Sequence, residues 1–106
     1  MSIGVALALR AKGSDRRVFV LIGDGETNEG TIWESALLAG DLGLTNLTAI
    51  LIDNHSSSRN LGDLCAKFDA FGWAARRVNG RDHDSIREAL TSPDQVRPSI
   101  VVADVA

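Results

Sequence analysis

Apolar residues along this chain fall into two arrangements, short unbroken runs and longer stretches with helical spacing. "VFVLI" (residues 18–22) is four-fifths β-branched or aromatic, the pattern of a buried strand. "LTAILI" (47–52) and "SIVVADV" (99–105) read the same way, and "WAARRV" (73–78) is a shorter candidate. Between these runs, "SIGVALALRAK" (2–12) and "TIWESALLAGDL" (31–42) use alanine and leucine as helices do. Each ends at a glycine, Gly13 or Gly43, and Thr31 opens the second. Residues 64–71 and 82–90 are two further predicted helices. Strands alternating with helices of this length predict an α/β fold, a parallel sheet with helices on both faces. With no repeat, low-complexity tract or long linker, residues 1–106 are expected to form one domain.

The two leading helices carry more apolar surface than a sheet-facing stripe needs. Ile32, Trp33, Ala36, Leu37, Leu38 and Leu42 spread around most of one helix, and Ile3, Val5, Leu7 and Leu9 do the same on the other. In so small a chain such patches would stay wet, so a homo-oligomer or an obligate partner is expected. The 11 basic and 14 acidic side chains are interspersed and leave a net charge of -3, which argues against a nucleic-acid-binding face. A single cysteine, Cys65, allows no internal disulfide and fits a reducing compartment. With no signal layout at the amino terminus and no apolar stretch of membrane-spanning length, a cytoplasmic protein is expected, with no membrane partner. Cys65 lies in the apolar periodicity of its helix and reads as a packing residue. The pairs Arg16-Arg17 and Arg76-Arg77 read as solvated.

One stretch departs from this plain pattern. Directly after the first strand, "GDGETNEG" (23–30) gathers three glycines and three carboxylates in eight residues. In a parallel sheet, ligands sit beyond the carboxyl ends of the strands. Asp24 lies just past the first strand and Asn54 just past the second. A right-handed crossover sets such strands side by side, roughly 4.8 Å apart. Two side-chain oxygens there can converge on a hard cation whose ligand bonds are about 2.1 Å. Gly23 and Gly25, lacking a β-carbon, suit a sharp turn and a close approach to a phosphate, and the helix beginning near Thr31 adds a positive dipole end if its axis points at the site. Glu26 and Glu29 have a plain reading as acids ahead of a helix start.

"GDGETNEGTIWESALLAGDLGLTNLTAILIDN" resembles the amino-terminal segment of transketolases, within the thiamine-diphosphate enzymes. That class is marked by Gly-Asp-Gly and an asparagine about thirty residues later. Here Asn54 stands thirty positions after Asp24, with Trp33-Glu34, Asn46-Leu47 and Phe71-Gly72-Trp73 also in the family's places. The resemblance implies thiamine diphosphate and Mg2+ (or Ca2+) as cofactors. It implies Asp24, the Asn54 amide oxygen and the Ser56 carbonyl as metal ligands. It places Gly23, Asp24, Gly25, Glu26, Asn54 and Arg81 in the cofactor-binding set, the plain helix-start reading of Glu26 standing beside that role. Glu29 matches an acid near the family's dimer interface that couples the two active sites, and is the candidate catalytic side chain. Trp33 reads as core or interface packing, and His55 as a solvated loop residue.

Two departures from the family pattern stand out. Gly80-Arg81-Asp82 replaces the common Gly-His-Asp, so Arg81 would meet the diphosphate as a permanent cation rather than an imidazole. The stretch after Asn54 is shorter and more polar than the family loop. The match also corresponds to the latter part of the pyrophosphate-binding domain only. The upstream substrate-binding histidines and the pyrimidine-binding domain, with the glutamate that activates the cofactor, have no counterpart here. The resemblance therefore implies a component of a split transketolase-like enzyme. A partner supplying the pyrimidine-binding domain would complete it, and a sugar phosphate or other keto compound would be the substrate. The alternative is a degenerate, non-catalytic interaction or cofactor-binding module.

Overall fold

The computed structural model describes residues 2–55 and 62–105. Four strands, β1 (Val18–Gly23), β2 (Leu47–Asp53), β3 (Ala74–Asn79) and β4 (Ser99–Asp104), form one sheet in the order β1-β2-β4-β3, with every pairing parallel. Helices α1 (Ser2–Ala11), α2 (Gly30–Leu42), α3 (Leu64–Ala70) and α4 (His83–Thr91) precede or connect them. The predicted α/β class and all eight predicted elements are present, with ends that differ by a residue or two.

Alternation of side chains across the strands divides the sheet into two unequal faces. On one face Ile22, Leu47, Ala49, Leu51, Ile100 and Val102 are buried under Ala6 of α1, Ala36 and Ala39 of α2, and Leu64 and Phe68 of α3. Connections β1-α2-β2 and β2-α3-β3 run in one direction across the sheet, whereas β3-α4-β4 runs back. Right-handed crossovers therefore send α4 to the opposite face. There it covers β3 and β4, burying Ala89, and Arg76 of β3 pairs with Glu88 at 3.6 Å. Arg17 is no solvated loop residue: its guanidinium donates to the Leu90 carbonyl at 2.6 Å and to Thr48 Oγ1 at 2.9 Å, fastening the end of α4 to the sheet. Over β1 the second face is open. Phe19 is 50% and Leu21 68% exposed, and among the described residues Phe19 is roofed chiefly by the Arg17 guanidinium, 4.8 Å from its ring centre.

Where α2 meets the turn before β3, the backbones touch. A β-carbon on Gly40 would collide with the Phe71 carbonyl and crowd Gly72, which itself sits at φ 91. The contact is locked by aromatic side chains: Trp33 lies 4.9 Å from Phe68 and 5.5 Å from Phe71 between ring centres, and Trp73 Nε1 donates to the Ala36 carbonyl at 2.8 Å. The start of α2 differs from expectation. Thr31 does not cap it; Glu29 does so by backbone position, without a side-chain bond, because a 3₁₀ turn over Asp24–Asn28 runs almost directly into the helix. Its far end is as expected, with Gly43 left-handed at φ 59.

Gly40→Ala should destabilise the chain by roughly 1–3 kcal/mol, the usual range for overpacking a closed contact, because the obstacle is backbone that cannot rotate away. Urea denaturation of the two proteins measures this directly, and a variant as stable as the parent would show that α2 does not seat this closely.

Candidate functional site

The register of the first two strands decides which residues meet at the carboxyl edge of the sheet. Gly23 is aligned with Ile52, so Asp24 emerges beside Asp53, and Asn54 follows one residue later. Asp24 opens the 3₁₀ turn and is only 4% exposed. Its carbonyl accepts the Thr27 hydroxyl at 2.6 Å, while the Thr27 carbonyl accepts the Trp33 indole N–H at 2.6 Å. The loop is thus tied into the aromatic core through α2. Glu26 reaches back to the start of the turn, its Oε1 accepting the Gly23 amide at 3.1 Å. Glu29 is exposed at the head of α2.

The chain turns sharply at these glycines, into the 3₁₀ turn over Asp24–Asn28, and does so without a left-handed residue. Gly23 has φ -84, and Gly25 is not among the positive-φ glycines. Gly25 is exposed, and among the described residues nothing beyond its own stretch of chain comes within 4 Å of where a β-carbon would stand. Its surroundings suit close approach of a ligand to the main chain rather than a special fold of the chain itself.

Asn54 is exposed just beyond β2, and Ser56 lies outside the described residues. Arg81 stands apart. It follows β3 on the same edge but three strand spacings from β1, roughly 14 Å at ordinary spacing. Its Nη2 donates to the Val105 carbonyl at 3.1 Å. The structure therefore brings Asp24, Gly25 and Asn54 together and leaves Arg81 at the far end.

Beside Asn54 is a polar group that the sequence did not announce. Arg77 Nη1 lies 3.4 Å from Asp53 Oδ2 and 3.3 Å from Asp104 Oδ2, so this arginine is not simply solvated. His55 is exposed yet tethered: its Nε2 lies 3.2 Å from Asp104 Oδ1. Asp53 and Asp104 ended apolar strand runs and gave no separate signal. Only β4, inserted between β2 and β3, makes them neighbours.

A buried carboxylate, an amide one strand away and open backbone at Gly25 form an oxygen-donor arrangement suited to a hard divalent cation carrying a phosphorylated ligand. Among the described residues no three histidine, cysteine or acidic side chains converge in a metal-holding group, so any cation here needs oxygens from amide, main chain or ligand. No described helix is long and apolar enough to cross a membrane.

The transketolase thiamine diphosphate binding domain model matches residues 10–105. The chain belongs to this family. A transketolase family protein of Sinorhizobium fredii, y4mO, is 37% identical over 98% of this chain. One of the subunits of apulose-4-phosphate transketolase from Actinobacillus succinogenes is 34% identical, again over 98%. Each match takes up 41% of the relative's length, so the chain spans about two-fifths of these curated relatives. Among solved structures, Campylobacter jejuni transketolase superposes with a TM-score of 0.88 at 26% identity, covering 97% of this chain and 18% of that one. The four-stranded sheet and its helices are thus a portion of the transketolase thiamine-diphosphate-binding fold.

Cys65, on α3 near the polar group, is held as a thiol. Burial raises its pKa first, opposed by the positive charge of Arg77, with Asp63 raising it further. A raised pKa means less thiolate at neutral pH, so alkylation by iodoacetamide at pH 7.5 should be slower than that of free cysteine. Faster labelling than free cysteine would overturn the packing role.

Proposed function

We propose that the chain is the thiamine-diphosphate- and metal-binding component of a split transketolase, competent for two-carbon ketol transfer only when a partner supplies the pyrimidine-binding domain. The observation that carries this reading is the meeting of buried Asp24, open Gly25 and Asn54 at the ends of two adjacent parallel strands. The Actinobacillus relative, named as one subunit of its transketolase, supports the division of the enzyme between polypeptides.

In this reading the Asp24 carboxylate and the Asn54 amide oxygen hold Mg2+ or Ca2+, and the Ser56 carbonyl is a third ligand. The main chain at Gly23 and Gly25 lies against the diphosphate. Glu26 shapes the loop through the Gly23 amide, Arg81 adds positive charge along the same edge, and Glu29 links the site to a second one across an interface. When bound, thiamine diphosphate supplies the nucleophilic carbon that carries the two-carbon unit. The chain's own contribution would be to hold the diphosphate end through Asp24, Asn54 and the main chain at Gly23 and Gly25, leaving the rest of the cofactor to the partner. The donor is a sugar phosphate or other keto compound, and the compartment is cytoplasmic. The second reading, a non-catalytic cofactor-binding or interaction module, is favoured by Arg81, which replaces a histidine and spends a donor on Val105.

Calorimetric titration of thiamine diphosphate with Mg2+ tests the site. Binding should need the metal, be lost in Asp24→Ala, and be largely reproduced by pyrophosphate. Binding that survives Asp24→Ala would sink the assignment.

The exposed apolar residues Val5, Phe19, Leu21, Leu37 and Leu38 support a homo-oligomer or a stable complex with the pyrimidine-domain polypeptide. Sedimentation at micromolar concentration should show a species larger than the 11.3 kDa chain, alone or with that polypeptide. A well-folded monomer that ignores the pyrimidine-domain polypeptide would exclude both.

A further inference from the structure

Asn54 lies at the apex of a turn that is anchored at both ends. On one side, Asp53 is 6% exposed. Its Oδ1 accepts the His55 amide at 3.2 Å, closing an Asx-type turn around Asn54. Its Oδ2 faces Arg77 Nη1 at 3.4 Å. On the other side, His55 takes φ 58, a left-handed conformation uncommon outside glycine. Its ring is tethered through Nε2 to Asp104 Oδ1 at 3.2 Å. The Arg77 guanidinium closes the circuit by reaching Asp104 Oδ2 at 3.3 Å. Main-chain bonds fix the base of the group: the Val105 amide donates to the Asp53 carbonyl at 3.0 Å, and the Gly80 amide to the Asp104 carbonyl at 2.7 Å.

This circuit spans three adjacent strands, β2, β4 and β3, and its three charged side chains share one face of the sheet. Only Asp53 of the three is buried, and Arg77 and Asp104 keep 38% and 35% of their side chains exposed, so these ion pairs add little to fold stability by themselves. What it achieves is geometric. With Asp53 held by Arg77 and His55 held by Asp104, the peptide units on either side of Asn54 have little freedom to rotate.

We infer that Arg77, Asp53, Asp104 and His55 are positioning residues that pre-set the direction of Asn54 toward the cation and diphosphate beside Asp24. The inference rests on the metal-diphosphate reading of that site. Outer groups of this kind orient metal ligands, and their loss commonly costs 10–100-fold in metal affinity.

The test is Mn2+ binding in the presence of pyrophosphate, followed by the electron paramagnetic resonance signal of free Mn2+, with melting curves to show that each variant is folded. The unaltered chain should bind, and Asp24→Ala should not. Arg77→Met, which keeps the apolar stem and removes the charge, should weaken binding about tenfold or more. Arg77→Lys should recover much of that loss, since an ammonium can still face both carboxylates. Asp104→Asn, at a less buried position, should fold even if Arg77→Met does not, and should weaken binding several-fold. Equal affinity among the folded variants, or no recovery with lysine, would overturn the positioning role while the site reading stands. An unaltered chain that fails to bind overturns both.

Discussion

Everything at the working edge of this protein depends on β1 lying parallel to β2 in a single register. A parallel pair cannot be joined by a hairpin, so α2 must cross over, and the right-handed sense of the crossover puts it on the face where Ile22, Leu47, Ala49 and Leu51 need cover. The same crossover returns the chain so that both strands end at one edge. Asp24 and Asn54 are thirty residues apart in sequence and one strand apart in space for this reason. A one-residue slip would turn the core face of β2 outward, so the hydrophobic pattern and the placement of the site are protected by one constraint.

The edge is also where buried charge collects. Asp24 and Asp53 are both nearly inaccessible, on adjacent strand ends. Carboxylates taken from water need compensation from hydrogen bonds and opposite charge. For Asp53 it comes from Arg77 and the His55 amide. For Asp24, the proposed site adds a divalent cation, which gives a physical reason for further acid at the end of a core strand in an already acidic chain. The aromatic contacts of Trp33, Phe68 and Phe71 extend this organisation inward, since the indole of Trp33 is bonded to the loop that carries Asp24.

The unequal cover of the two sheet faces bears on assembly. Among the described residues, three helices pack on one face and α4 alone on the other, where it reaches β3 and β4 but leaves Phe19 and Leu21 open. β1 is an edge strand of this sheet, with side chains suited to a central one. Both features accord with a chain that spans about two-fifths of its curated relatives, one of which is named as a transketolase subunit.

Local pattern was enough for much of this. Short apolar runs rich in β-branched residues marked β1, β2 and β4, the glycine stops at Gly13 and Gly43 marked helix ends, and the spacing of Gly-Asp-Gly from Asn54 marked the candidate site, because each depends on neighbours in sequence or on a recurrent spacing. Other features had no local signature. The 3₁₀ turn that displaced Thr31 from the head of α2 is set by bonds from the loop into the core, including the Trp33 indole to Thr27. Arg17 and Arg77 looked like ordinary surface cations, and their partners lie on strands or helices distant in sequence. The sequence by itself determined the elements, their parallel arrangement and the candidate Asp24–Asn54 pair, since hydrophobic period and glycine placement are properties of the chain. Only the tertiary structure decided the strand order, which put β4 between β2 and β3 and so assembled Asp53, Arg77, Asp104 and His55, because a charged residue reveals its partner only once the strands between them are in place.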